Sequence, residues 1–328
     1  MSGDLNRAEL LKGARKMVTC ALVKPGESLL IVTDTTMPSS IAESLAEAGR
    51  EVDADVSVLT VAPLHHHGQE PPPLMKAAIM EADVIFTVLS SSPMHSIGAD
   101  LVAKKKRALG FSMFTEDLLI KGGVEADFEK QKPIIEKVAS LLTDAKKIRV
   151  TTPAGADLTA NIEGRQGFAL TGIVEPGQFC GATNMESPIS PQEGTTHGVA
   201  VIDGSVVGGI HGMGGLVKEP IRCTIKDGMV TDIEGGEEAR RLKAALDDFG
   251  DPRAYNVAEI ALGLNPKVVP VGRQIVDMGA WGSVHIGMGR NTALGGKVEV
   301  PLHFDMIMRD ATVELDGKVI MENRELKI

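Results

Sequence analysis

Aromatic residues are scarce in this chain: 3% of 328 residues, with one Trp, one Tyr and eight Phe. That removes the stacking platforms on which single-stranded nucleic acid or sugars are held. Cysteine is scarcer still. Cys20, Cys180 and Cys223 lie far apart without metal-finger spacing, which argues against a disulfide framework or zinc ribbon and reads as buried, inert thiols. Cations are outnumbered, 34 Lys and Arg against 44 Asp and Glu, and no basic run exceeds Lys104-Lys105-Lys106-Arg107. The resulting charge of -10 disfavours nucleic acid and anionic membrane as partners. Met1 to Arg7 holds no apolar signal core, and no later run approaches the ~20 apolar residues of a spanning helix, so a cytoplasmic location is expected. Neither a G-x-G-x-x-G after the first apolar strand nor a G-x-x-x-x-G-K-[ST] occurs, and with them go the usual phosphate cradles of dinucleotide and nucleotide binding. Small molecules or peptides remain as substrates.

What is present is a chain long enough for two domains, with 43% hydrophobic residues to bury a sizeable core. Residues 1–145 alternate apolar strands, at 28–34, 55–61, 83–89 and 108–113, with helical patterns such as 40–49 and 73–81. This rhythm predicts an α/β domain with an open parallel sheet. The loops after its strands, Asp34 to Thr36, Pro63 to Pro73 and Ser90 to Ser96, are the ones expected to face a ligand. Three successive histidines, His65 to His67, cannot converge on one ion from regular structure and read as an exposed lid loop.

From residue 146 to 328 the texture changes to short β-like runs broken by turns at Asp203-Gly204, Asp227-Gly228 and Asp316-Gly317. An α+β, mostly antiparallel domain is expected. A helical pair, 237–249 and then 251–262, interrupts it, with Asp251-Pro252 as N-cap and first-turn proline and Glu259 near the end of the second helix. Glycines 208, 209, 212, 214 and 215 around His211 suggest tight turns near a cavity, and His197 is a further candidate for the site.

The most informative run is Pro301-Leu302-His303-Phe304-Asp305. On a strand, His303 and Asp305 project from one face while Leu302, Phe304 and Met306 occupy the other, which makes half of a metal site. His285 and Glu259 each stand among apolar or glycine neighbours where a solvated polar side chain is out of place. Together they read as a divalent-metal centre in the second domain.

The order Asn184…Glu186, Glu259…Leu262-Gly263…Asn265-Pro266, Gly282-Ser283-Val284-His285-Ile286, Gly295-Gly296 and His303-Phe304-Asp305 resembles the thermophilic-type metallo-aminopeptidases, family M29. The resemblance covers most of the second half and implies that Glu186, Glu259, His285, His303 and Asp305 hold a pair of divalent metals. Where those peptidases carry a tyrosine, this chain has Arg290-Asn291-Thr292. The second relative is the 2,5-dihydroxypyridine dioxygenase type, mononuclear iron enzymes similar to M29, whose His-x-Gly-x-Gly-x-Asn-Pro frame is present here with Glu259 in place of the His. That branch also implies a catalytic histidine after the third strand, which His95 matches.

Two enzyme chemistries follow. Two-metal hydrolases want several bridging carboxylates, whereas oxygen activation wants two His and one carboxylate with open positions. Three carboxylates and two His favour a hydrolase that attacks an amide or peptide carbonyl with metal-bound water. Glu186 or Glu259 would bridge or act as base, Arg290 would anchor a carboxylate, and His95 would transfer a proton. The expected metal is Zn, Co or Mn. The alternative is an Fe(II)-dependent ring-cleaving dioxygenase acting on a hydroxylated N-heteroaromatic, with His285, His303 and Asp305 as facial triad. Both resemblances imply a homodimer or larger assembly.

Overall fold

The computed structural model describes residues 7–65, 68–208, 215–272 and 274–328. The chain opens with α1 (Arg7–Cys20), β1 (Ser28–Asp34), α2 (Ser39–Glu51), β2 (Asp55–Val61), α3 (Pro73–Glu81), β3 (Val84–Val88), α4 (Met94–Ala103), β4 (Arg107–Gly110) and α5 (Glu116–Ile120). It continues with α6 (Phe128–Asp144), β5 (Lys147–Thr151), β6 (Asp157–Asn161), β7 (Gln178–Gly181), β8 (Glu186–Ile189), β9 (His197–Ile202) and β10 (Val206–Gly208). The remaining elements are β11 (Ile221–Lys226), β12 (Met229–Glu234), α7 (Glu237–Phe249), β13 (Val257–Gly263), α8 (Gln274–Met278), β14 (Val284–Gly289), β15 (His303–Met308), β16 (Thr312–Leu315), β17 (Lys318–Glu322) and β18 (Glu325–Leu326). None of the described helices is long and apolar enough to cross a membrane.

Two compact units result, residues 1–128 with 172–184, and residues 129–171 with 185–328. The first is built on a parallel sheet in the order β2-β1-β3-β4-β7. Strands β1 and β3 are buried almost end to end, which is why their sequences are continuous apolar runs rather than alternating ones. At their carboxyl ends Asp34 ties two loops together. Its Oδ1 accepts from the Thr36 amide and hydroxyl at 2.9 and 2.6 Å, and its Oδ2 from the Ser90 amide and hydroxyl at 2.6 and 2.7 Å. Burial pushes this carboxyl upward, and the four hydrogen bonds more than reverse it, leaving its pKa below the ordinary value.

The second unit carries two antiparallel sheets, an eight-stranded one in the order β12-β11-β9-β6-β5-β16-β17-β18 and a five-stranded one in the order β10-β15-β14-β13-β8. Tight turns supply the hairpins. Asp227-Gly228 and Asp316-Gly317 both have positive φ at both residues, 49° and 76° in the first and 50° and 84° in the second, the conformation that a twisted two-residue hairpin demands.

The expected helix over 251–262 is not formed. Asp251 accepts from the Arg253 amide at 2.9 Å and starts a single 3-10 turn, Pro252–Tyr255, after which Val257–Gly263 runs as a strand. All seven residues of that strand are buried. Enclosed between β14 and β8, a short apolar run with Val257 and Ile260 gains ladder hydrogen bonds on both edges, so tertiary pairing overrides the weak helical periodicity. Glu259 therefore sits in mid-strand, not at a helix end.

Candidate metal centre

The five-stranded sheet brings the five candidate ligands onto one face by register alone. Glu259, Gly287 and Asp305 lie side by side on β13, β14 and β15. One step along, Ala261, His285 and Ile307 form the next row, His303 stands opposite Gly289, and Glu186 opposite Gly263. A β-bulge between Val257 and Glu259 shifts the register of β13 just before the glutamate. Alternation on β14 places His285, Gly287 and Gly289 on the same face, so two glycines form the floor beneath the ligands. A Cβ on Gly287 would stand 2.8 Å from Glu259 Cβ, 3.0 Å from His303 Cε1 and 3.1 Å from Asp305 Oδ1. Gly287 is thus part of the site, and the period of two applied to Val284–Gly289 is the sequence signal that identifies it.

The donors face one another closely. Glu259 spans both imidazoles, with Oε1 3.4 Å from His285 Nε2 and Oε2 3.4 Å from His303 Nε2. His285 Nε2 is also 3.9 Å from Glu186 Oε2 and 4.0 Å from Asp305 Oδ1, and His303 Nε2 is 3.4 Å from Asp305 Oδ1. Two trios, Glu186 with Glu259 and His285, and Glu259 with His303 and Asp305, each offer ligand atoms within 4.8 Å of one another. Four of the five residues are buried and His303 is nearly so.

Burial pulls an imidazole toward its neutral form, yet here the carboxylates win. His285 is held up to about 9 by its hydrogen bond to Glu259 and by the charges of Glu186, Asp305 and Glu259. His303 lies well above its ordinary value through Asp305 and Glu259, again against burial. Glu259 is driven below the usual carboxylate range by the two histidines, although burial alone would raise it.

The donor set fits a divalent cation. Imidazole and carboxylate ligands together suit borderline ions such as Fe, Mn, Co and Zn. Asp305 Oδ1 is buried, and its approaches to the imidazoles, 3.4 Å to His303 Nε2 and 4.0 Å to His285 Nε2, are longer than a good charged hydrogen bond, which leaves room for a cation between them. His303 is oriented from behind: Nδ1 lies 2.8 Å from the Arg290 carbonyl, and since a carbonyl only accepts, Nδ1 carries a proton there and Nε2 is the nitrogen that would give up its proton to a cation.

Two other candidates of this unit, the Arg290 guanidinium and His197, are engaged elsewhere. The Arg290 guanidinium donates to Thr292 Oγ1 at 2.9 Å and faces Glu299 Oε1 at 3.3 Å. Arg290 thus serves the centre through its backbone. His197 is exposed and receives the Asp227 amide on Nδ1 at 3.3 Å. His95 falls in the first turn of α4, in the parallel-sheet unit. The His95 side chain, His66 and His67 of the expected lid loop, and His211 with Gly209, Gly212 and Gly214 lie outside the described residues.

Comparison with known proteins then bears on the chemistry. The family model for 2,5-dihydroxypyridine 5,6-dioxygenase matches residues 9–327. A curated 2,5-dihydroxypyridine 5,6-dioxygenase from Pseudomonas putida KT2440 is 28% identical over 203 residues, 59% of this chain, and the match spans 57% of that relative's length. Among solved structures, 2,5-dihydroxypyridine dioxygenase from the same strain superposes with a TM-score of 0.83 at 20% identity, covering 98% of each chain. Wild-type AmpT from Thermus thermophilus gives 0.71 at 15% identity, covering 98% of this chain and 99% of that one. The resemblance to an M29 and dihydroxypyridine-dioxygenase branch is therefore established, the M29 side through fold.

These findings overturn the leading expectation of a peptide- or amide-cleaving hydrolase. A family model spanning nearly the whole chain and the curated relative both carry a dioxygenase's name. The physical reason for the misreading is that carboxylate count does not discriminate: the same five donors can surround one ion or two, and nothing in their number says whether water or oxygen is activated.

Proposed function

Since this chain belongs to the 2,5-dihydroxypyridine 5,6-dioxygenase family, we propose that its five-donor centre holds one ferrous ion and that the protein cleaves a hydroxylated N-heteroaromatic ring with dioxygen. The observation that supports this reading is the family match over residues 9–327, set on a buried His and carboxylate cluster.

When bound, ferrous ion supplies the one-electron chemistry that dioxygen requires and a Lewis acid for a ring hydroxyl. The residues do the rest. His285, His303 and Asp305 would hold the ion, with Glu259, whose two oxygens face the two Nε2 atoms at 3.4 Å, as a further carboxylate donor beside them. Burial of Glu186, Glu259 and His285 keeps bulk water from the centre, which strengthens each electrostatic contact there. Glu186, 3.9 Å from His285 Nε2, is assigned acceptance of the proton that a ring hydroxyl loses; the place of its carboxylate beside the ligands supports this role. His95 is assigned the complementary proton transfer to the opening ring, on the resemblance alone. Homodimers or larger assemblies are proposed on the same footing.

The test is an oxygen electrode. Anaerobically purified protein loaded with Fe(II) is given 2,5-dihydroxypyridine; oxygen uptake that needs ferrous ion and disappears after aerobic oxidation is expected. No uptake with a fully iron-loaded sample would refute the reading.

A further inference from the structure

Behind the centre lies a buried hydrogen-bonded hub that touches none of the ligands. Asn291, buried, uses both donors of its side-chain amide and its oxygen. Its Nδ2 donates to Ser190 Oγ at 3.2 Å and to Glu193 Oε1 at 3.1 Å, and its Oδ1 accepts from the Val298 amide at 2.8 Å. Ser190, also buried, passes the connection on by donating to the Ala258 carbonyl at 2.8 Å. Each contact lands next to a ligand-bearing element: Ser190 immediately follows β8, which carries Glu186; Ala258 immediately precedes Glu259; and Asn291 immediately follows Arg290, whose carbonyl holds His303 Nδ1.

Space around the hub leaves it one arrangement. A Cβ on Gly296 would fall 2.0 Å from Asn291 Cγ, so the loop between β14 and β15 is folded directly over the amide. The Gly296 amide in turn donates to the Asn291 carbonyl at 3.0 Å. Glu193, which also accepts the Lys297 amide at 2.7 Å, closes the loop from outside.

Building on the metal-centre reading above, we infer that Asn291, through Ser190 and the Arg290 carbonyl, is the positioning residue that sets Glu259 and His303 relative to each other. Loss of its amide frees the loop, lets the Arg290 carbonyl drift from His303 Nδ1 and loosens the Ser190 tether behind Glu259. Removing partners that orient metal ligands typically weakens metal binding by about 10- to 100-fold.

The experiment uses cobalt(II) alone as probe, on the full chain, because its visible spectrum reports ligand number and geometry. Unsubstituted protein, Asn291→Ala and the milder Ser190→Ala are titrated against a competing chelator, with unfolding temperature of the metal-free forms followed in parallel. Expected is a roughly 10-fold or larger loss of cobalt affinity in Asn291→Ala, a smaller loss in Ser190→Ala, and an altered cobalt spectrum in both. If Asn291→Ala does not fold, an altered spectrum in Ser190→Ala alone sustains the inference. Unchanged affinity and spectrum in both, with only a lowered unfolding temperature, would overturn it and leave the metal reading intact. No cobalt bound by the unsubstituted protein would instead overturn the metal reading, and this inference with it.

Discussion

Gly287→Ala is the sharpest probe of the centre. The added methyl would meet Glu259 Cβ at 2.8 Å, His303 Cε1 at 3.0 Å and Asp305 Oδ1 at 3.1 Å, all tighter than ordinary carbon contacts of about 3.5–4.0 Å. Glu259 Cβ is fixed to its backbone, and the other two atoms belong to the donor groups themselves; all three residues lie on strands paired on both sides. Relief therefore requires the donors themselves to move by a few tenths of an ångström, beyond the ~0.2 Å tolerance of a metal–ligand distance. Overpacking of this kind costs about 1–3 kcal/mol. If the strain is expressed at the donors, that is a 5- to 140-fold loss of affinity, at about 1.4 kcal/mol per tenfold. Chelator competition with Mn(II) or Fe(II) under nitrogen measures it. Gly110→Ala is the control, because a Cβ there meets only Thr87 Oγ1 at 3.6 Å and the Cys180 carbonyl at 3.8 Å. Equal metal affinity in Gly287→Ala and the control would refute the placement of the ion over this glycine.

Four other outcomes follow, three from the same centre and one from Asp34. In chelator, the raised histidines stabilise the fold fully below their unfolded value near 6.5; the His285 contribution is lost as pH climbs through about 9, and that of His303 well above its ordinary value. Calorimetric unfolding from pH 6 to 10 should thus show a falling transition temperature, and a flat profile would contradict the assigned imidazolium pair. Metal binding at pH 7 should release protons, up to two per ion, read by titration calorimetry in buffers of different ionisation enthalpy. Asp305→Ala should abolish metal occupancy, whereas stoichiometric metal with full activity in that variant would sink the ligand assignment. Asp34→Asn puts an amide against four donors and should destabilise the chain by ~2–4 kcal/mol in urea unfolding, with metal affinity unchanged.

The parallel sheet was legible because β1 and β3 are continuous apolar runs and because turn residues punctuate the strands. The His303 and Asp305 pair was legible for a related reason: a period of two is a local property of extended backbone. By contrast, residues 178–181 supply a fifth strand to the first sheet from far along the chain, and nothing local in Gln178–Gly181 announces the partner. Glu259 was assigned to a helix since a short buried apolar run satisfies either period until its neighbours are known.

Composition and motif order by themselves pointed away from a disulfide scaffold and singled out the five candidate ligands that the sheet gathers on one face. Only tertiary structure decided that Glu259 spans both imidazoles, that Gly287 is the floor, and that the Arg290 carbonyl, and not its guanidinium, meets His303. The reason is that ligand chemistry resides in residue type, which is written locally, whereas distances between donors are set by strand register across residues more than a hundred positions apart.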